Sequence, residues 1–335
     1  MRPTRSSKRR SSDALTSETH PSLEETRMPS PTAHHKSQRG REHKPHRTLL
    51  EHRDVAPHLQ FNRFILTGYR PRRGILETLA WTLLVWHNES ANVLSHAFGA
   101  VVCSYWLWTT VYASTPAGKL VVVSDAAALF CFVCSALYHA LMSAMDTPGA
   151  YKALLSLDLA AVWGAQLGGA LSLYSLLLPC APTAVVTLLT LLPSAAAAVL
   201  LTCCARDVRH RAVAFALPQV LRVVVPIAVV VWAERGMPTT FWRVEWIVAH
   251  LAVELAAVVG GVLNATRYPE RAWPGAFDLS VLNSHSLMHV LVTINMLAQH
   301  WLVGARSAAV DASPPLAACL ASHVDNALGW LAQRS

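Results

Sequence analysis

The stretch "NSHSLMHVLVTINMLAQHWLV", residues 283–303, indicates the fold class most clearly. It is long and apolar enough to cross a bilayer as a helix, which takes about 20 predominantly apolar residues. Its first turns nevertheless carry two histidines, His285 and His289, four positions apart. Residues at this spacing lie on one face of a helix, so both imidazoles can reach one partner. The stretch therefore predicts a membrane helix with a polar site near one end.

Six further apolar runs precede this stretch in the 335-residue chain. The seven runs cover residues 91–112, 120–142, 152–178, 184–204, 212–233, 243–264 and 280–303. Only 14% of the residues are charged, against roughly 25% in soluble domains. The strands of a membrane β-barrel are short and alternate in polarity, whereas these runs are continuous. The sequence predicts an all-α membrane protein with a seven-helix transmembrane domain over residues 91–304.

The basic residues predict the orientation and the flanking segments. More than half of the 28 lysines and arginines precede residue 90, which by the positive-inside rule places the N-terminus in the cytosol. Residues 1–60 are rich in Ser, Pro, His and charge, so we expect a disordered cytosolic tail. Residues 61–90 are expected to be a pre-membrane interfacial segment, and 305–335 an extracytosolic tail. Cys180 and Cys319 both fall outside, so a disulfide can join them.

Four of the predicted spans place polar or ionisable side chains at the same depth on the cytosolic side. Ionisable residues inside a membrane are costly and usually functional. These residues are Glu89, Asn92 and His96 in the first span, Ser135 and His139 in the second, Asp158 in the third, and His285 and His289 in the last. Glu89, Asn92 and His96 share one helix face and can equally brace the first helix. The remaining histidines in apolar runs, His87, His250 and His300, are expected to be interfacial and without a role.

The paired histidines, with a third histidine on another span, predict a metal site. Three neutral imidazoles with one open position are the pattern of catalytic zinc. Cys131 and Cys134 are a rival ligand pair, although Cys131 lies two turns deeper than His139. Haem ligands would lie on opposing helices, and a retinal protein would need a lysine within a span.

These residues belong to a series of motifs along the chain: "ILTGYRP" (65–71), E-x-x-N-x-x-x-H from Glu89, S-x-x-x-H from Ser135, Asp158 in the third span, and "YPERAWPGAFDLSVLNSHSLMHV" (268–290). In this order, the motifs resemble those of the progestin and adiponectin receptor family, which is haemolysin III-related. The resemblance covers most of residues 61–304. The bundle motifs look closest to the adiponectin-receptor-like branch.

The resemblance implies a seven-helix bundle with a cytosolic N-terminus. It implies a Zn²⁺ ion held by His139, His285 and His289, with Asp158 holding a zinc-bound water. Members look like lipid-amide hydrolases related to alkaline ceramidases, and some are also described as receptors for adiponectin or steroids.

The expected reaction is hydrolysis of a lipid amide such as ceramide, which yields a fatty acid and a sphingoid base. Asp158 would orient the water and take its proton, and Ser135 would bind the water or the developing oxyanion. Glu89, Asn92 and His96 would support the ligands or brace the helices. One alternative is a non-catalytic receptor with structural zinc and an unidentified extracellular ligand, in which Asp158 can be the fourth ligand. A transporter is a third class of protein to consider, but the sequence shows no evident internal repeat of the kind that transporters have. No nucleic-acid partner is expected.

Overall fold

The computed structural model describes residues 49–203, 208–233 and 244–322, and these residues are helical apart from turns and one isolated bridge. The predicted tail residues 1–48 and 323–335 lie outside the described part of the chain. The described α-helices are α1 (Ile75–Leu84), α2 (Ser90–Thr110), α3 (Pro116–Leu141), α4 (Pro148–Leu177), α5 (Thr183–Cys203), α6 (Val208–Ala233), α7 (Val244–Thr266) and α8 (Ser284–Asp311). Helices α2 to α8 occupy the seven predicted apolar runs.

Among the described residues, four helices are long and apolar enough to cross a membrane by length and composition. They are Pro116–Ala144, Pro148–Leu177, Glu245–Thr266 and Ser284–Asp311, and shorter apolar helical stretches cover Ile75–Leu84, Thr183–Ala196 and Ala216–Val231. The all-α membrane class is therefore confirmed. The number of seven spans and the orientation stay predictions.

The sequence marks where α3 and α4 begin. Thr115 accepts a hydrogen bond from the backbone N–H of Gly118, and Pro116 follows it at the first helical position. Thr147 and Pro148 repeat this arrangement at the start of α4. The threonine side chain accepts a hydrogen bond from a backbone N–H that has no partner within the helix. Proline lacks a backbone N–H, but the N–H at the first helical position would have no partner within the helix anyway.

Helix α3 packs against α2, α4 and α8, and α8 also packs against α7. Large apolar side chains on the outer faces are exposed, for example Val101, Trp108 and Trp301, as expected of surfaces that meet lipid. Helix α1 also turns its apolar side outward, because Leu76 and Leu83 are exposed while Thr78 is buried. Its ten residues extend only about 15 Å, too short to span a bilayer.

The folded part of the chain begins earlier than predicted. Residues 49–60 were assigned to the disordered tail, but Val55 and Leu59 are buried in a cluster with Tyr69 and Tyr138. Leu50 also forms a two-way backbone bridge with Tyr69. The prediction was wrong for residues 49–60 because it rested on the mean composition of residues 1–60, which is polar although the segment contains a few apolar side chains.

The folded part also ends later than the predicted transmembrane domain. Helix α8 continues to Asp311, and a further helical stretch follows within residues 314–322. Cys180 and Cys319 form a disulfide, which confirms that these two cysteines share one end of the bundle. Leu320 is buried in a cluster with Leu176 and Val303, so the described part of the predicted C-terminal tail is anchored to the bundle.

Candidate metal centre

Three histidines from two helices converge at one end of the bundle. His139 lies in the last turn of α3, and His285 and His289 lie in the first turns of α8. Each offers one ring nitrogen, and these nitrogens all lie within 4.8 Å of one another. His139 and His289 are buried, and His285 is partly buried. The group can hold a metal ion, as the sequence predicted.

The distances fit a small ion. Two nitrogen ligands of tetrahedral zinc, each about 2.0–2.1 Å from the metal, lie about 3.4 Å apart. The Nε2 atoms of His285 and His289 are 3.3 Å apart. Imidazole suits zinc and several other transition metals, so the donor set defines a metal site without choosing among these ions.

Each of the three imidazoles is held through its Nδ1 atom, which leaves Nε2 for a metal. Such outer contacts fix the orientation and tautomer of metal-ligating histidines. The pairs are His139 with Glu89 Oε2 at 2.7 Å, His285 with Asn264 Oδ1 at 3.3 Å, and His289 with His96 Nε2 at 2.8 Å. The sequence interpretation missed Asn264, which lies near the end of α7, 21 positions before His285.

The predicted face of α2 points at this centre. Glu89 is the N-cap residue of α2, and its Oε2 atom also accepts a hydrogen bond of 2.6 Å from Asn92 Nδ2. His96 lies two turns further along the helix and packs against the ring of Phe132. The structure thus brings Glu89 and His96 into contact with the histidines and Asn92 into contact with Glu89, while their roles stay predictions.

Asp158 and Ser135 lie together beside the histidine group. Both side chains are buried, and the Asp158 carboxyl group interacts electrostatically with Ser135 and His139. The Oδ1 atom of Asp158 has no hydrogen-bond partner among the described residues. Asp158 is not a member of the group whose donor atoms converge, so the geometry gives no support to direct metal ligation by Asp158.

The rival ligand pair lies elsewhere. Cys131 and Cys134 are free and buried in an apolar cluster with Ala161 and Ala165. Neither thiol joins the converging histidine nitrogens, so the geometry gives no support to a Cys–His metal site.

Arg70, in the pre-membrane segment, holds the backbone of a candidate ligand. Its buried guanidinium donates to the carbonyl oxygens of His139 at 2.5 Å and Ala140 at 2.6 Å. These carbonyls belong to the last turn of α3, where a cation is favourable. Burial lowers the pKa of Arg70 to about 10, with Glu89 opposing that shift, so Arg70 stays charged at neutral pH.

His87, which was expected to be interfacial and without a role, makes contacts in the protein interior. His87 is buried in the turn before α2, and its Nδ1 atom accepts a hydrogen bond from the backbone N–H of Glu89. Burial lowers the pKa of His87 to about 3, Arg70 lowers it further and Glu89 opposes. A neutral His87 therefore positions the turn that carries Glu89.

His250 and His300 are also part of buried polar contacts. His250 contacts the carbonyl of Arg222 at 2.8 Å, and Arg222 forms a buried ion pair of 2.9 Å with Glu254. His300 contacts the Asp125 carboxylate at 2.9 Å. The sequence interpretation missed these contacts because the partners lie on other helices, 28 to 175 positions away.

Comparison with known proteins gives matches over the region that carries the site. A family model described as Haemolysin-III related matches residues 84–300. The chain is 32% identical over 264 residues to the Homo sapiens protein "Progestin and adipoQ receptor family member 4", covering 75% of this chain and 90% of that protein. It is likewise 32% identical over 266 residues to the Mus musculus protein of that name, with 75% and 90% covered. The family match includes all three histidines.

Proposed function

The chain belongs to the haemolysin-III-related family of integral membrane proteins, and on this basis we propose that it is a zinc-dependent lipid amide hydrolase. The observation that carries the proposal is the pairing of three convergent histidines with a buried carboxylate oxygen that has no partner among the described residues. Structural zinc is usually closed by four protein ligands, whereas catalytic zinc has three and an open position. Three donors beside a free carboxylate oxygen suit the catalytic arrangement.

His139, His285 and His289 would hold the ion. When bound there, zinc supplies Lewis acidity towards a carbonyl oxygen and towards water. Asp158 Oδ1 accepts the proton from the attacking water, because it is buried and has no hydrogen-bond partner among the described residues. Ser135 is buried next to this carboxylate, and we assign it to binding the water or the developing oxyanion.

The surrounding residues keep the imidazoles in place. Glu89 contacts the ring of His139, and Arg70 donates to its backbone carbonyl. Because outer contacts of this kind typically change metal affinity or activity by 10- to 100-fold, we assign them to positioning of the ligands.

The proposed substrate is an amide with a long acyl chain, such as ceramide. The histidines lie at the ends of α3 and α8, both long and apolar enough to cross a membrane, so a lipid can bring its amide to this depth. Hydrolysis adds one water across the C–N bond and gives a fatty acid and an amine.

We assign the histidine end of the bundle to the cytosol. The basic residues before α2 favour this orientation. The Cys180–Cys319 disulfide lies beyond the far end of α4, and disulfides persist in oxidising compartments rather than in the cytosol. Charge and disulfide position therefore support the same orientation.

A second candidate is a receptor in which the ion is structural. It is favoured by the fact that the ligands tie α3 to α8, with Glu89 adding α2, and by the receptor-family name of the human and mouse relatives. An ion bridging helices far apart in sequence stabilises the bundle whether or not it is catalytic.

Ceramide turnover separates the two candidates. Full-length protein in lipid nanodiscs is assayed for fatty-acid release as purified, after chelation, and after zinc is restored. If the protein is a hydrolase, fatty-acid release should stop on chelation and return when zinc is restored. Zinc-loaded, folded protein without turnover of ceramide or simpler lipid amides would contradict it and favour the receptor.

A further inference from the structure

A short stretch of the pre-membrane segment, residues 62–70, crosses the histidine end of the bundle, and we call it the strap. Its last residue, Arg70, donates to two carbonyl oxygens in the last turn of α3, one of them that of His139. Its first residue, Asn62, is bonded to the α7–α8 loop, residues 267–283, which leads into the helix that carries the other two histidines. The strap therefore connects the two helices that supply the candidate metal ligands.

The link to α8 passes through Glu270, a fully buried residue of the α7–α8 loop. Its Oε1 atom accepts a hydrogen bond of 3.0 Å from Asn62 Nδ2, and its Oε2 atom accepts one of 2.8 Å from the backbone N–H of Ser284. The Ser284 hydroxyl also donates to Oε1. Ser284 is the first residue of α8 and precedes His285, so one carboxylate joins the strap to the turn that carries a candidate ligand.

Glu270 is suited to this position because it stays charged. Burial raises the pKa of Glu270, but hydrogen bonds, foremost those from Ser284, outweigh burial and hold the pKa below its usual range. A carboxylate at the start of a helix is stabilised by the helix dipole, and hydrogen bonds to a charged group are stronger than those between neutral groups. The link between the strap and α8 therefore consists of charge-assisted hydrogen bonds.

A second buried carboxylate fastens the middle of the strap to the same loop. Asp278 Oδ2 accepts hydrogen bonds from the backbone N–H of Leu66 at 3.1 Å, the backbone N–H of Thr67 at 2.7 Å and the Thr67 hydroxyl at 2.8 Å. The carbonyl oxygen of Phe64 accepts a further bond of 3.0 Å from the backbone N–H of Gly275. The strap and the α7–α8 loop are thus held together along their length.

Gly68 allows the strap to lie close to this loop. Its φ is 86°, and a Cβ atom there would lie 2.6 Å from Cδ2 of Leu279, so the position requires glycine. The Gly68 carbonyl also accepts a hydrogen bond of 3.0 Å from the backbone N–H of Asn88, just before α2. The strap therefore contacts the starts of α2 and α8 and the end of α3.

We propose that the strap sets the distance between the ligand on α3 and the ligands on α8, so that the histidines are positioned before a metal ion binds. Asn62, Arg70 and Glu270 are then positioning residues, since none of them belongs to the group whose donor atoms converge. A site whose ligands are already in place loses less conformational freedom on binding and has the higher affinity. The inference rests on the metal site of the proposed function and not on hydrolysis.

The two attachments of the strap distinguish this role from local stabilisation. If the strap acts as one connection, breaking either attachment releases the same constraint, and breaking both adds little. If Asn62 and Arg70 each stabilise only their own surroundings, the two losses of zinc affinity add, as is usual for separate sites.

The test is a double-variant cycle of Asn62→Ala, Arg70→Met and both changes together, in full-length protein in nanodiscs. Zinc affinity is measured by competition against a chelator, with melting of the metal-free forms measured alongside. Each single variant should bind zinc about tenfold more weakly, as is typical when an outer contact is lost. The double variant should lie within about threefold of the weaker single variant. Gln60→Ala is the matched control and should bind zinc like the wild type, because Gln60 precedes the strap and its side chain donates to the Val55 carbonyl.

Hydrogen exchange of the metal-free protein gives a second readout. Asn62→Ala should speed the exchange of backbone amides in the first turn of α8 several-fold, while amides near Val310, at the other end of α8, keep their wild-type rates. Arg70→Met should have the same effect on the first turn of α8, although the hydrogen bonds of the Arg70 side chain go to Thr82, His139 and Ala140 and not to α8.

Additive losses of zinc affinity, or exchange in α8 that responds to Asn62→Ala but not to Arg70→Met, would overturn the strap. Arg70→Lys replaces Arg70→Met if the latter does not fold, because lysine keeps the charge but lacks the planar fork that reaches both carbonyls. Wild-type protein that binds no zinc would remove the proposed function, while the exchange rates would still decide on the strap. Strap-dependent zinc binding without amide hydrolysis would support the strap and remove the hydrolase.

Discussion

Replacing Glu89 by glutamine tests whether the outer contacts of the histidines set the metal affinity. The substitution preserves side-chain size and leaves an amide oxygen that can accept from His139 and Asn92. It removes the charge from a hydrogen bond of 2.7 Å between two buried side chains. Loss of such a contact typically weakens metal binding by about 10- to 100-fold, or about 1.4–2.7 kcal/mol.

The assay is competition for zinc against a chelator of known affinity, at fixed pH, with melting of the metal-free forms measured alongside. Glu245→Gln is the matched control, because Glu245 is exposed in the first turn of α7. We expect weaker zinc binding for Glu89→Gln, unchanged binding for Glu245→Gln, and metal-free melting temperatures within a few degrees. An affinity equal to that of the wild type would refute the positioning role of Glu89.

Three further predictions concern the proton acceptor, the buried ion pair and the N-terminal boundary. Asp158→Asn should keep zinc and melting temperature while ceramide turnover falls on the order of 100- to 10,000-fold; undiminished turnover would remove Asp158 from the mechanism. Glu254→Leu should destabilise the protein by about 3–5 kcal/mol because it leaves Arg222 charged and buried. Adding Arg222→Leu should recover much of this lost stability. Equal melting temperatures of the single and double variants would contradict the pairing. A chain starting at Phe61 should be less stable than one starting at Leu49, by about 3–6 kcal/mol, because it lacks the buried side chains of Val55 and Leu59. Denaturant unfolding in detergent measures the difference in stability. Identical unfolding curves would show that residues 49–60 do not stabilise the protein.

The histidine pair on α8 could be predicted because its signal is local. Spacing of four positions within a helix places His285 and His289 on one face whatever the rest of the chain does. His139 could be added because apolar runs of known length fix the depth of a residue in a span. The convergence of the three histidines therefore follows from periodicity and span order, together with the family resemblance.

Arg70 and the Arg222–Glu254 pair could not be predicted in the same way. Arg70 binds backbone carbonyls 69 and 70 positions away, and a carbonyl carries no sequence signal. Arg222 meets Glu254 from another helix, so the contact depends on helix rotation, which composition does not determine. The sequence shows Arg70 as one of the basic residues before the first span and as part of "ILTGYRP", but only the structure shows that it binds the backbone of a candidate metal ligand.

Metal content of the purified protein shows directly whether the three histidines hold a zinc ion. Full-length protein is prepared without exposure to chelator and examined by elemental analysis, beside a His285→Ala, His289→Ala double variant. We expect about one zinc ion per chain in the wild type and almost none in the variant, because the variant retains only His139 of the three ligands. Wild-type protein that is folded and free of zinc, or a variant that retains the full zinc content, would contradict it.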